Sequence, residues 1–173
     1  MEKQKLKQQL VNGHKAYAGY VLALSEPDFN YALPEKWNAG EHLQHILISV
    51  SKLNKAICNP KYILPIEAMQ PIRALMDYNT LVGVYLDRIK QGAKANLPFV
   101  PEKVTIEQRD QLVNDVQATV ADLCTKFDMY DEKQLDTLTI PHPLLGVLTL
   151  REMIYFTIEH AAHHYELTKK YIQ

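Results

Sequence analysis

Apolar residues recur at helical spacing through four long stretches of this chain. The first spans about Lys3 to Leu24, with Leu6, Leu10, Tyr17, Val21 and Leu24 on one side, and Glu26-Pro27-Asp28 reads as its stop. A loop with Pro34 leads to Trp37. Asn38 then stands where a helix cap belongs, with Glu41 three positions on, the spacing of a capping box. The helix it opens carries Leu43, Ile46, Leu47, Val50, Leu53 and Ile57 and ends at Asn59-Pro60. Pro65 and Pro71 interrupt the middle of the chain. A helix is predicted from Ile72 to Lys90, with Gly92 placed for a left-handed cap. Thr105 and Gln108 repeat the capping-box spacing before Leu112, Val116, Val120, Leu123 and Phe127. Asp128 to Pro143 reads as a long connection, with Leu138-Thr139-Ile140 as a short extended piece. Thr149 and Glu152 open the last helix, Leu150 to about Ile172, with Leu148 and Met153 placed as a hydrophobic staple.

These elements predict an all-α fold: a four-helix bundle with long connections and an additional shorter helix in the middle segment. At 173 residues the chain reads as one domain, residues 1–173. Its 47% hydrophobic and 23% charged residues are ordinary for a globular core. Nineteen basic side chains face twenty acidic ones, so no global field draws the chain to nucleic acid or an anionic membrane. Runs such as Ile46-Leu47-Ile48 are too short to span a bilayer. The charged start, MEKQKLKQQL, lacks the apolar core of a secretory signal. Cys58 and Cys124 are too few and too far apart for a disulfide framework; both read as buried small hydrophobes in a reducing, cytoplasmic setting. A homodimer is compatible with this composition.

Candidate chemistry lies in the seven histidines, His14, His42, His45, His142, His160, His163 and His164. One face of the last helix reads Met153, Thr157, His160, His164, Leu167, Tyr171. His160 and His164 stand one turn apart in the middle of this apolar face, so both imidazoles can point at one ion. The spacing is that of H-E-x-x-H, but Ala161 replaces the glutamate, and the zinc-protease mechanism has no support. A single core-facing histidine is ordinarily just buried and hydrogen-bonded. Two adjacent ones must be neutral and partnered, or share a cation. On the second helix His42 lies about 70° and His45 about 130° from the centre of the apolar stripe. Periodicity therefore nominates His42 as the more buried, and a solvated helix face is the plainer reading for both.

Two stretches carry a resemblance. Trp37-Asn-Ala-Gly-Glu-His-Leu-Gln-His45 resembles the start of the second helix in DinB-like proteins. His142-Pro-Leu-Leu-Gly146, then Leu148-Thr-Leu-Arg-Glu152 and His160-x-x-His163-His164, resemble that superfamily's His-Pro-x-x-Gly loop, capped last helix and closing H-x-x-x-H. Met153 stands where the family often has an aromatic residue. The resemblance implies a four-helix bundle with a three-histidine metal site. It implies His45, rather than His42, as partner to His160 and His164, with His42 and His163 as flanking alternatives. His14 and His142 are assigned to structure.

Three neutral histidines leave a divalent ion an open position, the mark of a catalytic site. Zinc or nickel suits three imidazoles best, with iron or manganese also compatible. The resemblance implies two reaction classes on a small-molecule substrate. Metal-dependent hydrolysis comes first; the alternative is transfer or isomerisation assisted by a low-molecular-weight thiol. A non-catalytic metal-binding or dimerising bundle is the rival. The sequence shows no general base beside the triad. Glu41 reads as a helix cap, Glu159 and Glu166 lie about 120° and 140° from the ligand face, Tyr165 points away from it, and His142 reads as a turn or packing residue, with the pocket rim as its alternative.

Overall fold

Each predicted apolar stripe forms a long helix: α1 (Lys3–Ala23), α3 (Ala39–Ile57), α5 (Arg109–Phe127) and α7 (Leu150–Ile172), with short helices α2 (Glu26–Asn30), α4 (Tyr78–Lys90) and α6 (Glu132–Thr137) between them. The computed structural model describes residues 1–68 and 73–172. Helices α1 and α3 each pack on both α5 and α7, and α4 packs on α7. Leu6, Leu10, Tyr17, Leu43, Ile46, Val116, Leu123 and Ile154 meet in the shared core.

The caps form as their spacing predicts. Glu41 N–H donates to Asn38 Oδ1 at 2.8 Å, while Asn38 N–H donates to the Glu41 carboxylate at 2.7 Å. Thr105 with Gln108 does the same, although the first turn they open is 3₁₀ and α5 proper follows at Arg109. Beyond Lys90 the chain closes in a Schellman motif: Gly92 N–H bonds Ile89 O at 2.9 Å, Ala93 N–H bonds Arg88 O at 3.1 Å, and Gly92 has a φ of +90°.

The fold is mostly helical as expected, with one small sheet added to the all-α expectation. Strands β1 (Leu64–Pro65), β2 (Leu138–His142) and β3 (Gly146–Thr149) form an antiparallel sheet in the order β1-β2-β3. The two longer strands are rich in Thr, Ile and Val and too short for a helical period to register. Gly146, at a φ of +78°, turns the hairpin between them.

Other boundaries shift for local reasons. Glu26-Pro27-Asp28 follows the end of α1 but itself starts α2, where Ser25 caps Asp28 N–H and Pro27 sits in the first turn, needing no N–H partner. The long connection contains α6. The predicted start of the middle helix at Ile72 lies outside the described residues, and α4 begins only at Tyr78, capped by Asp77. Glu152 explains the delay. Its buried carboxylate takes a two-pronged bond from Arg73, at 2.7 and 2.6 Å, and another from Met76 N–H, at 2.7 Å. That claims the preceding segment for the end of α7. The same carboxylate accepts Thr149 N–H, while Thr149 Oγ1 accepts Glu152 N–H, so the predicted box is present with an added partner. Cys124 is buried as expected, whereas Cys58 is exposed because α3 ends there.

One glycine is required by close approach. A Cβ on Gly40 would stand 2.5 Å from Phe29 Cζ and 2.8 Å from Val104 Cγ1. Its absence lets α2 and the segment before α5 sit on the first turn of α3, just ahead of His42 and His45. Among the described residues, no helix is long and apolar enough to cross a membrane.

Candidate metal centre

Helix α3 supplies His42 and His45; α7 supplies His160, His163 and His164. One ring nitrogen from each of His45, His160 and His164 lies within 4.8 Å of the other two, and all three residues are buried. His45 Nε2 stands 3.0 Å from His160 Nε2. Two nitrogens bound to one ion at about 2.0–2.1 Å stand roughly 2.9–3.4 Å apart at ordinary coordination angles. The observed gap matches that span.

Proton placement supports the same fit. His45 Nδ1–H donates to Phe99 O at 2.7 Å, which leaves a lone pair on Nε2. At 3.0 Å, two facing lone pairs on His45 and His160 would repel. Either His160 Nε2 carries the proton between them or a cation takes both lone pairs. On the other side, His164 Nδ1 lies 2.8 Å from His42 Nδ1. With the proton on His164 Nδ1, its Nε2 lone pair is left for an ion. The donor set is neutral, convergent and dry enough to hold a divalent cation.

Burial pushes every one of these imidazoles towards the neutral form. His42 is driven down to about 4 by desolvation first and by the neighbouring His45 next. His160 and His164 fall well below the ordinary histidine value for the same first reason, with adjacent histidines adding to it. His45 falls too, against the opposing effect of its bond to Phe99. The group is therefore ready as lone-pair donors at neutral pH.

On the second helix His42 and His45 are both 5% exposed, so neither lies on a solvated face, and His42 is not the more buried of the two, contrary to the periodicity. The segment after α4 covers that flank of α3, and its Phe99 carbonyl captures His45. Trp37 walls the group, its ring 5.0 Å from that of His45 and 6.1 Å from that of His164.

A cavity of about 1040 Å³ opens beside the three histidines, lined among others by Trp37, Tyr85, Phe156, His142 and His163. Glu35, which is exposed, is the one carboxylate in its lining among the described residues. Glu159 is half-buried and accepts from Tyr78 Oη, Glu166 pairs with Lys169 in solvent, and Tyr165 stacks on Tyr17, all outside the lining. His142 does serve its turn: its Nδ1 accepts Leu144 N–H at 3.2 Å and Leu145 N–H at 3.0 Å. The proton must then sit on Nε2, and burial lowers the group to about 4. His142 also lines the cavity, so it serves the turn and the pocket together. His14 is outside the cavity lining, its Nδ1 bonded to Leu10 O at 2.8 Å.

A search of curated proteins finds no match to the chain. The family profile of the DinB superfamily matches residues 9–168, which include all five histidines of the group. The chain belongs to the DinB superfamily.

Proposed function

We propose that this protein is a metal-dependent enzyme in which His45, His160 and His164 hold one divalent ion, zinc or nickel before iron or manganese, and that it hydrolyses a small molecule. The observation carrying this reading is the convergence of three buried, neutral imidazoles at the wall of a cavity large enough for such a substrate. When bound, the ion would supply a Lewis acid to an incoming water or to a substrate oxygen or sulfur. The chain's own groups do the rest. Phe99 O fixes the tautomer of His45, and Trp37 shields the ligand nitrogens from bulk water. His142 holds a proton at Nε2, where it can donate to a developing negative charge.

A second reading, thiol-assisted transfer or isomerisation, is favoured by the near-absence of carboxylates from the cavity lining. Such a reaction needs a stabilised thiolate rather than a carboxylate base. We further read the architecture as a single-domain four-helix bundle acting in the cytoplasm, with a homodimer compatible with it.

The test is elemental analysis of protein purified without an affinity tag, beside His160→Ala. One ion per chain in the former and none in the latter is expected; equal metal content in both overturns the reading. Loaded protein is then offered activated esters, and electrophiles with small thiols. Turnover that requires a thiol replaces hydrolysis with the second reading, and no turnover in either arm leaves a binding protein.

A further inference from the structure

The charged side chains lining the cavity are unbalanced. Lys36, Lys52, Lys55 and Lys94 face it, against Glu35 alone. The chain as a whole carries slightly more acid than base. None of these four lysines forms an ion pair among the described residues, although seven other basic side chains do. Lys36, Lys55 and Lys94 are exposed at the mouth, whereas Lys52 is half-buried.

Lys52 is also placed relative to the histidines. His45, Ser49, Lys52 and Ala56 all line the cavity from one side of α3. Seven residues of helix separate His45 from Lys52 along the axis, about 10 Å. Both meet Phe99: His45 bonds its carbonyl, and the Lys52 ammonium lies 5.4 Å from the centre of its ring. Trp37, Tyr85 and Phe156 give the cavity an aromatic lining beside the histidines.

We propose that the cavity takes an organic monoanion, an apolar body ending in a carboxylate or a group like it, and that Lys52 holds the anionic end. A single half-buried lysine without a carboxylate partner matches one negative charge, and the three mouth lysines draw that charge inwards. The orientation, with the reacting end at the histidines about 10 Å away, rests on the metal-enzyme reading above. The anion subsite stands without an ion.

The test uses the full chain, depleted of metal, and two fluorescent probes of similar aromatic body: anilinonaphthalene sulfonate, an anion, and phenylnaphthylamine, which is uncharged. Wild type should bind the sulfonate more tightly. Lys52→Met, which keeps the aliphatic stem, should weaken the sulfonate about tenfold and leave the amine unchanged. Lys52→Arg should restore the sulfonate. Equal binding of both probes by wild type, an unchanged sulfonate affinity in Lys52→Met, or a parallel loss of both probes overturns the proposal. Zinc content is measured on the same preparations before depletion. Wild type without metal would sink the metal-enzyme reading while leaving the probe result to stand or fall by itself.

Discussion

His14 offers a stability test that requires no metal. It is 2% exposed, on α1 against α5, and its Nε2 has no hydrogen-bond partner among the described residues. Burial depresses it from 6.5 to about 4, with the bond to Leu10 O acting weakly in the other direction. Between those values the unfolded chain binds the proton and the folded one refuses it. Stability therefore rises with pH across this window: the contribution is complete above 6.5 and is lost on acidification. At pH 5 the unfolded histidine is almost fully protonated and the folded one about one-tenth so. Integrating from pH 7.5 to 5 gives a loss of about 2 kcal/mol from this residue. His14→Met fills similar space and does not titrate. Its missing bond to Leu10 shifts stability equally at both pH values, and the other buried histidines titrate in both proteins, His14 being the least of the charges that act on His160. Urea unfolding followed by circular dichroism should show wild type losing about 2 kcal/mol more than the variant, a midpoint difference near 1 M. Parallel losses in the two proteins would refute the assignment of His14 as buried and neutral.

Zinc affinity should change only a few-fold between pH 7.5 and 6, because the three ligands are already neutral; three ordinary histidines would cost about 50-fold, and a competition titration with a chromophoric chelator separates the cases. Gly40→Ala should destabilise by about 1–3 kcal/mol, since Phe29 and Val104 must move; an unchanged melting temperature would contradict the close packing at the start of α3. Glu152→Gln should cost about 1–3 kcal/mol through loss of the charged fork to Arg73, and Arg73→Met in the same background should then add little. Additive losses in that double-mutant cycle would deny the coupling. In metal-loaded protein, His142→Phe should lower kcat with little change in metal content, whereas an equal fall in both would make His142 a purely structural residue.

Helix α7 was legible almost to the residue. Its cap is local chemistry between Thr149 and Glu152, and a buried face shows as periodicity. His160 and His164 were found for that reason. His45 was not: its angle on α3 pointed to water, and only the motif around Trp37 nominated it. The partner that buries it, Phe99 O, comes from a backbone 54 residues away, and a backbone carbonyl leaves no trace in side-chain pattern. The hairpin of β2 and β3 was half seen, as an extended Leu138-Thr139-Ile140, because strands of five and four residues carry too few positions for alternation to stand out.

By itself, then, the sequence determined the four long helices, most of their caps, the histidines on α7 and the lack of any strong net charge. Each is a property of neighbours within a few residues or of a simple sum. Tertiary structure alone decided that His45 turns inwards, that Glu152 binds Arg73 as well as capping α7, that His142 joins the cavity wall, and that lysines scattered from Lys36 to Lys94 line one opening. Those facts depend on segments far apart in the chain meeting at fixed distances. Helical periodicity locates a buried face without saying which segment covers it.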